Sequence, residues 1–338
     1  MVTDALSHPW SVAFLPEGDF LITERDGKLW RVDNAGKKTE IKGVPEVQAH
    51  GQGGLLEIAL SPTFAKDNLI YISYAGGTRF DFNTELARGK LDLKTNTISD
   101  LQVIFKAEPK VSGGNHFGGK ILFLPDNTML LTLGERNRKD EAQKTEHHLG
   151  KIVRLNLDGS IPKDNPFVGK EGYKPEIYTY GNRNVQGIAL QPGTDRVWEH
   201  EHGPKGGDEV NILKPGANYG WPKISFGVDY TGLKITDQTA APGMEQPVIY
   251  WVPSIAPSGM TFYDGKKFPQ WKGDIFVGAL AGTHLRRLEV KDNKIIEQEV
   301  LLEDMEERIR DVRTGPDGSL YILTDSEDGK LLRISPAT

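Results

Sequence analysis

Five short stretches carry the residue types from which chemistry is built. Ser112-Gly113-Gly114-Asn115-His116-Phe117-Gly118-Gly119-Lys120 sets one histidine among glycines. A neutral imidazole near pH 7 can take a proton from a hydroxyl, although a lone histidine in such company is more often a hydrogen-bonded structural residue. Glu307-Arg308-Ile309-Arg310-Asp311 spaces two arginines at i, i+2, on one face of a strand. Such a pair can grip a polyanionic ligand, or lie exposed along a blade edge. His50-Gly51-Gln52-Gly53-Gly54 and Gly181-Asn182-Arg183-Asn184-Val185-Gln186-Gly187 add amides and a third arginine in glycine-rich settings. The last stretch runs from Trp198 to Glu209. His200 and His202 there share the i, i+2 spacing, but no third nitrogen or carboxylate follows at a familiar zinc spacing. Calcium suits an oxygen-rich glycine turn better, with Glu209 and the carbonyls of Gly203 and Pro204 as candidate ligands.

The elements that must position these residues emerge from a repeat. A short apolar strand, a Pro/Asp/Gly turn, a second apolar strand, a polar turn and a third strand recur from Val12, Ile58, Ile121, Gly187, Met260 and Val312. Six copies over 338 residues give about 56 residues each, above the ~40–50 of common propeller blades, with long loops making up the difference. Strands of four to six residues with no long helical period predict an all-β chain. The expected fold is a six-bladed β-propeller of four-stranded antiparallel blades, one domain over residues 1–338; a pair of β-sandwiches explains the sixfold regularity less well. The motifs fall just before a copy's first strand or after its second, so a propeller gathers them at one end of its central channel.

Composition narrows the chemistry further. No cysteine is present, which excludes disulfides, thiolate-bound zinc, iron–sulfur clusters and thiol catalysis. A net charge of −6 without long like-charged blocks gives no reason to expect nucleic acid. No apolar run approaches the ~18 residues of a membrane-spanning helix. The 38 glycines exceed the usual ~7% share and suit tight turns and close backbone approach. His147-His148 and the Glu303–Glu307 run read as solvated segments.

Several segments together resemble a known family: Pro9-Trp10, Thr23-Glu24-Arg25, Gly51-Gln52-Gly53-Gly54-Leu55-Leu56, Asn115-His116, Gly181 to Gly187, Glu201-His202-Gly203-Pro204 with Asp208-Glu209, and Asn218-Tyr219-Gly220-Trp221-Pro222. They resemble the soluble PQQ-dependent sugar dehydrogenases, especially the bacterial periplasmic aldose sugar dehydrogenase branch. The resemblance implies oxidation of an aldose C1 hydroxyl to a lactone, with hydride passing to PQQ. By the same resemblance His116 is the general base, and Arg183 stabilises charge developing on the quinone oxygen. Gln52, Asn184, Arg308 and Arg310 hold the cofactor; Tyr230 and Tyr250-Trp251 are candidates to stack on it by position. It also implies one calcium ion at the Gly203 and Pro204 carbonyls and a structural one at Glu209 and Tyr219. A leader is expected to have been removed ahead of Met1, the electron acceptor is unidentified, and the chain is expected to be a monomer or homodimer.

Two departures from the family pattern stand out. Asn115 takes the place of an aspartate before the base, so the orienting carboxylate is expected to be missing. Ala281-Gly282-Thr283 replaces a lysine that pairs with a cofactor carboxylate, leaving backbone groups or the Thr283 hydroxyl to substitute. Weaker cofactor retention and a broader sugar preference follow. A calcium-dependent propeller hydrolase of the lactonase kind and a non-catalytic binding propeller are the alternatives.

Overall fold

The computed structural model describes residues 1–337. Each repeat forms a four-stranded antiparallel sheet, giving six blades, I to VI. The innermost strands are Pro9–Phe14, Leu55–Leu60, Ile121–Phe123, Val185–Leu190, Pro257–Phe262 and Ile309–Thr314. Each packs against the inner strands of its neighbours, the last against the first, so the ring closes around a channel.

The second strands explain why this sequence stacks blades. Phe20–Glu24, Thr128–Thr132, Val197–Glu201, Ile275–Ala279 and Leu320–Thr324 are buried at every position. Successive side chains point to opposite faces, and here both faces meet another blade. Leu21 packs between blades I and II, whereas Phe20 and Ile22 pack between blades VI and I. Leu130 faces blade IV, whereas Met129 and Leu131 face blade II. Removing one such leucine costs about 2–5 kcal/mol.

The fourth strand of blade VI comes from the other end of the chain. Thr3–Leu6 pairs antiparallel with Gly329–Ile334, Thr3 opposite Leu331 and Leu6 opposite Gly329, and so latches the ring without a covalent bond. Surplus length lies in segments 133–150 and 157–176 of blade III and 213–248 of blade IV; the first and last carry Glu135 and Tyr230 to the site end. Within the first of these, the expectation of a solvated His147-His148 is half wrong. His148 is 2% exposed, its Nδ1 accepting from the Glu108 N–H at 2.9 Å and its Nε2 meeting Glu176. The charged residues around it conceal one side chain turned inward. Among the described residues, no helix is long and apolar enough to cross a membrane.

Candidate active site

His116 stands in the loop before the inner strand of blade III, in the left-handed region at φ 56°, where a side chain is strained. Three neighbours hold it there. Its N–H donates to Gln52 Oε1 at 3.0 Å. Arg136 donates to the carbonyls of Asn115 (2.9 Å), Gly113 and Phe82, and its guanidinium lies 3.9 Å from the Phe117 ring centroid. Glu135, 1% exposed, bonds His116 Nδ1 and also accepts the Asn137 N–H at 2.7 Å.

Glu135 corrects the expectation that the base lacks a carboxylate. Position 115 supplies none, but the chain turns back after the second strand of blade III and places Glu135 on the ring. A carboxylate can only accept, so it fixes the proton on Nδ1 and leaves the Nε2 lone pair for a substrate. Burial pushes the His116 pKa down, Glu135 pulls it back up, and the Arg183 charge lowers it. The ring is therefore neutral near pH 7, as a base must be.

Arg183, 5% exposed, donates from Nη1 to the carbonyls of Gly203 (3.0 Å) and His202 (3.2 Å) and lies 5.3 Å from the Trp221 ring centroid. Asn184 Oδ1 accepts the Gly118 N–H at 3.1 Å, tying this loop to that of His116. The two loops flank a cavity of about 240 Å³ at the channel mouth.

Gln52, Asn184, Tyr230, Arg308 and Arg310 all line that cavity, as expected, whereas His116 and Arg183 stand behind it, next in sequence to the wall residues Phe117 and Asn184. Ala281, Gly282 and Thr283 do not; Leu280 and Ala256 are on the wall instead. The Ala281 and Gly282 N–H groups both donate to the Ile255 carbonyl at 3.1 Å, so they are spent on holding a turn. Tyr250 stacks on Phe226 at 3.9 Å and Trp251 Nε1 bonds Gln298 at 2.8 Å, both away from the mouth. Trp10, Arg25 and Asp325 are wall residues to which the sequence motifs assign no role, and His202 joins them. Arg310 donates to Asp325 (3.1 Å) and Gln186 (3.3 Å), yet its buried Nε has no partner. An unpartnered guanidinium edge on an arginine-rich wall fits an anionic ligand.

A second site lies on blade IV, where strands Val197–Glu201 and Asp208–Ile212 pair Glu199 with Asn211 and Glu201 with Glu209. These four buried side chains share one face. Burial raises Glu201 to about 7, and burial with the Glu201 charge holds Glu199 and Glu209 well above the usual carboxylate range. Glu199 Oε2 and Asn211 Oδ1 have no partner. A cavity of about 10 Å³ opens among Glu201, Glu209 and Tyr219. No ready-made set of three acidic or histidine ligands converges among the described residues. The crowded carboxylates and the unpartnered Glu199 and Asn211 oxygens are hard donors of the kind that a divalent cation such as calcium takes. The Gly203 carbonyl accepts from Arg183 and retains a second lone pair for a metal. His200 and His202 are not zinc ligands: their Nε2 atoms bond the Ser258 and Pro257 carbonyls, stitching blade IV to blade V.

Comparison with known proteins places this geometry. A family model described as glucose/sorbosone dehydrogenase matches residues 6–333. The chain is 44% identical to the aldose sugar dehydrogenase YliI of Escherichia coli K12, over 99% of this chain and 92% of that protein. It is 28% identical to quinoprotein glucose dehydrogenase B of Acinetobacter calcoaceticus, over 96% and 85% of the two. The apo-form structure of the E. coli aldose sugar dehydrogenase superposes with a TM-score of 0.96 at 44% identity, covering 99% and 98% of the chains. A PQQ-bound aldose sugar dehydrogenase from Streptomyces coelicolor gives 0.82 at 31% identity, covering 99% and 96%. The chain belongs to the glucose/sorbosone dehydrogenase family.

Proposed function

We propose that this chain is a PQQ-dependent aldose sugar dehydrogenase, oxidising the C1 hydroxyl of an aldose to the lactone. One observation carries the reading: a neutral histidine, fixed by a buried carboxylate, directly precedes the wall residues Phe117 and Gly118 of a mouth with more arginine than acid. PQQ, when bound, supplies the hydride acceptor. The residues do the rest. His116 Nε2 takes the hydroxyl proton as hydride leaves C1, worth roughly 10²–10⁴ in rate. Glu135 orients the ring and steadies its charged form. Arg183, held over the 202–203 carbonyls, faces charge that develops at the far side of the reaction, worth roughly 10²–10³. Gln52, Asn184, Tyr230, Arg308 and Arg310 hold the cofactor.

Calcium belongs to the same reading, at the Gly203 and Pro204 carbonyls and at Glu209 with the Tyr219 main chain. The uncompensated carboxylates of blade IV support the second of these. Family membership supports the periplasm as the place of work, an external electron acceptor, and one propeller domain over the whole span. The test is to add PQQ and Ca2+ to the purified chain and follow aldose-dependent reduction of a dye. Reduction that disappears in His116→Ala supports the reading; no reduction with any aldose, or a His116→Ala variant as active as the parent, overturns it.

A further inference from the structure

Arg25 follows the second strand of blade I and reaches the wall of the mouth cavity. Its main chain is pinned on both sides, the N–H donating to the His8 carbonyl at 3.2 Å and the carbonyl accepting the Leu55 N–H at 3.0 Å. Its side-chain stem lies against Gly54, whose φ is +148°. A Cβ at position 54 would stand 1.9 Å from the Arg25 carbonyl oxygen and 2.8 Å from its Cγ, so only glycine lets Arg25 sit there.

The guanidinium at the end of this fixed stem has no partner among the described residues. The one carboxylate on the cavity wall, Asp325, is already taken by Arg310 (3.1 Å), Arg308 (3.5 Å) and His8 (2.9 Å). The wall thus carries three arginines against one aspartate. All four come from blades I and VI, across the channel from His116 and Arg183 on blades III and IV.

We propose that Arg25 binds a carboxylate of the cofactor, an assignment that rests on the PQQ reading above. PQQ carries three carboxylates, and a wall whose arginines outnumber its acids three to one has the sign to receive those on the side away from the quinone. Arg25 thereby supplies the cation that Ala281-Gly282-Thr283 does not, since two amides of that turn are committed to Ile255.

The test is a calorimetric titration of PQQ into the calcium-supplemented chain, comparing the parent with Arg25→Ala and Arg25→Lys, each checked by thermal melting without PQQ. Arg25→Ala is expected to bind roughly tenfold or more weakly, with a shallower salt dependence and an unchanged melting temperature. Arg25→Lys is expected to recover part of the loss, because it keeps the charge but not the planar fork. An Arg25→Ala variant within twofold of a tightly binding parent overturns the assignment alone. Two variants equally weak, both melting lower, also overturn it, since Arg25 would then merely prop the loop. A parent that takes up no PQQ sinks this assignment and the proposed function together.

Discussion

The channel holds two sets of charges separated by one indole ring, and they obey opposite rules. Below Trp10, Lys120 pairs with Glu57 (2.9 Å) and Asp311 (3.3 Å), while Arg313 pairs with Asp311 (3.0 Å) and Glu57. Two cations each touch two anions, so the set is closed in charge, although Glu57 Oε2 meets Lys120 as an ion pair without a hydrogen bond. Above it, at the mouth, Arg308 and Arg310 share Asp325 with His8, Arg25 has no acidic partner, and a buried guanidinium nitrogen of Arg310 is left over. Trp10 stands between, with Lys120 Nζ 4.5 Å and Arg310 Cζ 5.9 Å from its ring centroid. Balanced buried charge is architecture, tying blades II, III and VI; unbalanced buried charge waits for a ligand. Arg310 and Asp311 are neighbours in sequence yet belong to different sets, at a register shift between Ile309 and Asp311 that interrupts the regular alternation of the strand.

The largest effect is expected where the closed set is broken. Asp311→Asn strips both Lys120 and Arg313 of a partner and leaves buried positive charge, at a cost of about 3–5 kcal/mol. Urea unfolding measures this, and a loss under 1 kcal/mol would mean the set is not closed.

Next comes the base, whose own carboxylate makes it a third kind of pair. Glu135→Gln removes the group that fixes the Nδ1 proton, and sugar oxidation at pH 7–8 is expected to fall by roughly 10²–10⁴. The sign of the pH effect follows from the causes. Burial holds the His116 pKa below 6.5 and Glu135 raises it, so without Glu135 the acid limb of the pH–rate profile moves to lower pH. A limb that moves up instead would show that Glu135 does not act on His116.

The carboxylates of blade IV mirror the mouth with the opposite sign. Calcium at about 100 times its Kd is expected to stabilise the chain by roughly 2.7 kcal/mol, read as a rise in melting temperature. Glu209→Gln should abolish most of that rise while leaving the calcium-free chain as stable as the parent or more so, because one of three crowded acids is gone.

The smallest effect is expected at Arg308, which is half exposed and one of three partners of Asp325. Arg308→Gln should change stability by no more than about 0.5 kcal/mol and yet weaken PQQ uptake. Equal destabilisation by Arg308→Gln and Asp311→Asn would erase the distinction between the two sets.

The fold was legible where physics writes a short-range pattern. Second strands such as Phe20–Glu24 and Ile275–Ala279 are apolar on both faces, and six of them at similar spacing announce a ring. Outer strands such as Lys38–Ile41 and Lys294–Leu301 are polar and partly exposed, so they resemble loops. Thr3–Leu6 was illegible because its partner lies at the far end of the chain.

The candidate site divides the same way. His116, Arg183, Arg308 and Arg310 sit in glycine-rich or alternating motifs that can be recognised locally. Glu135 is 19 residues from the ring it holds, and no spacing rule links positions brought together by a turn. Arg25 ends an ordinary strand, and only its lack of a partner in three dimensions marks it out. His148 is the converse case, since its polar neighbours in sequence are not its neighbours in space.

The most direct test of the account is a single turnover. The chain loaded with PQQ and Ca2+ is mixed with an aldose, and the cofactor's absorbance is followed in the parent and in His116→Ala. Rapid reduction is expected in the parent, and in His116→Ala a cofactor that binds but is reduced at least roughly 10²-fold more slowly. Reduction at the parent's rate in His116→Ala, or no reduction of the loaded parent by any aldose, would contradict it.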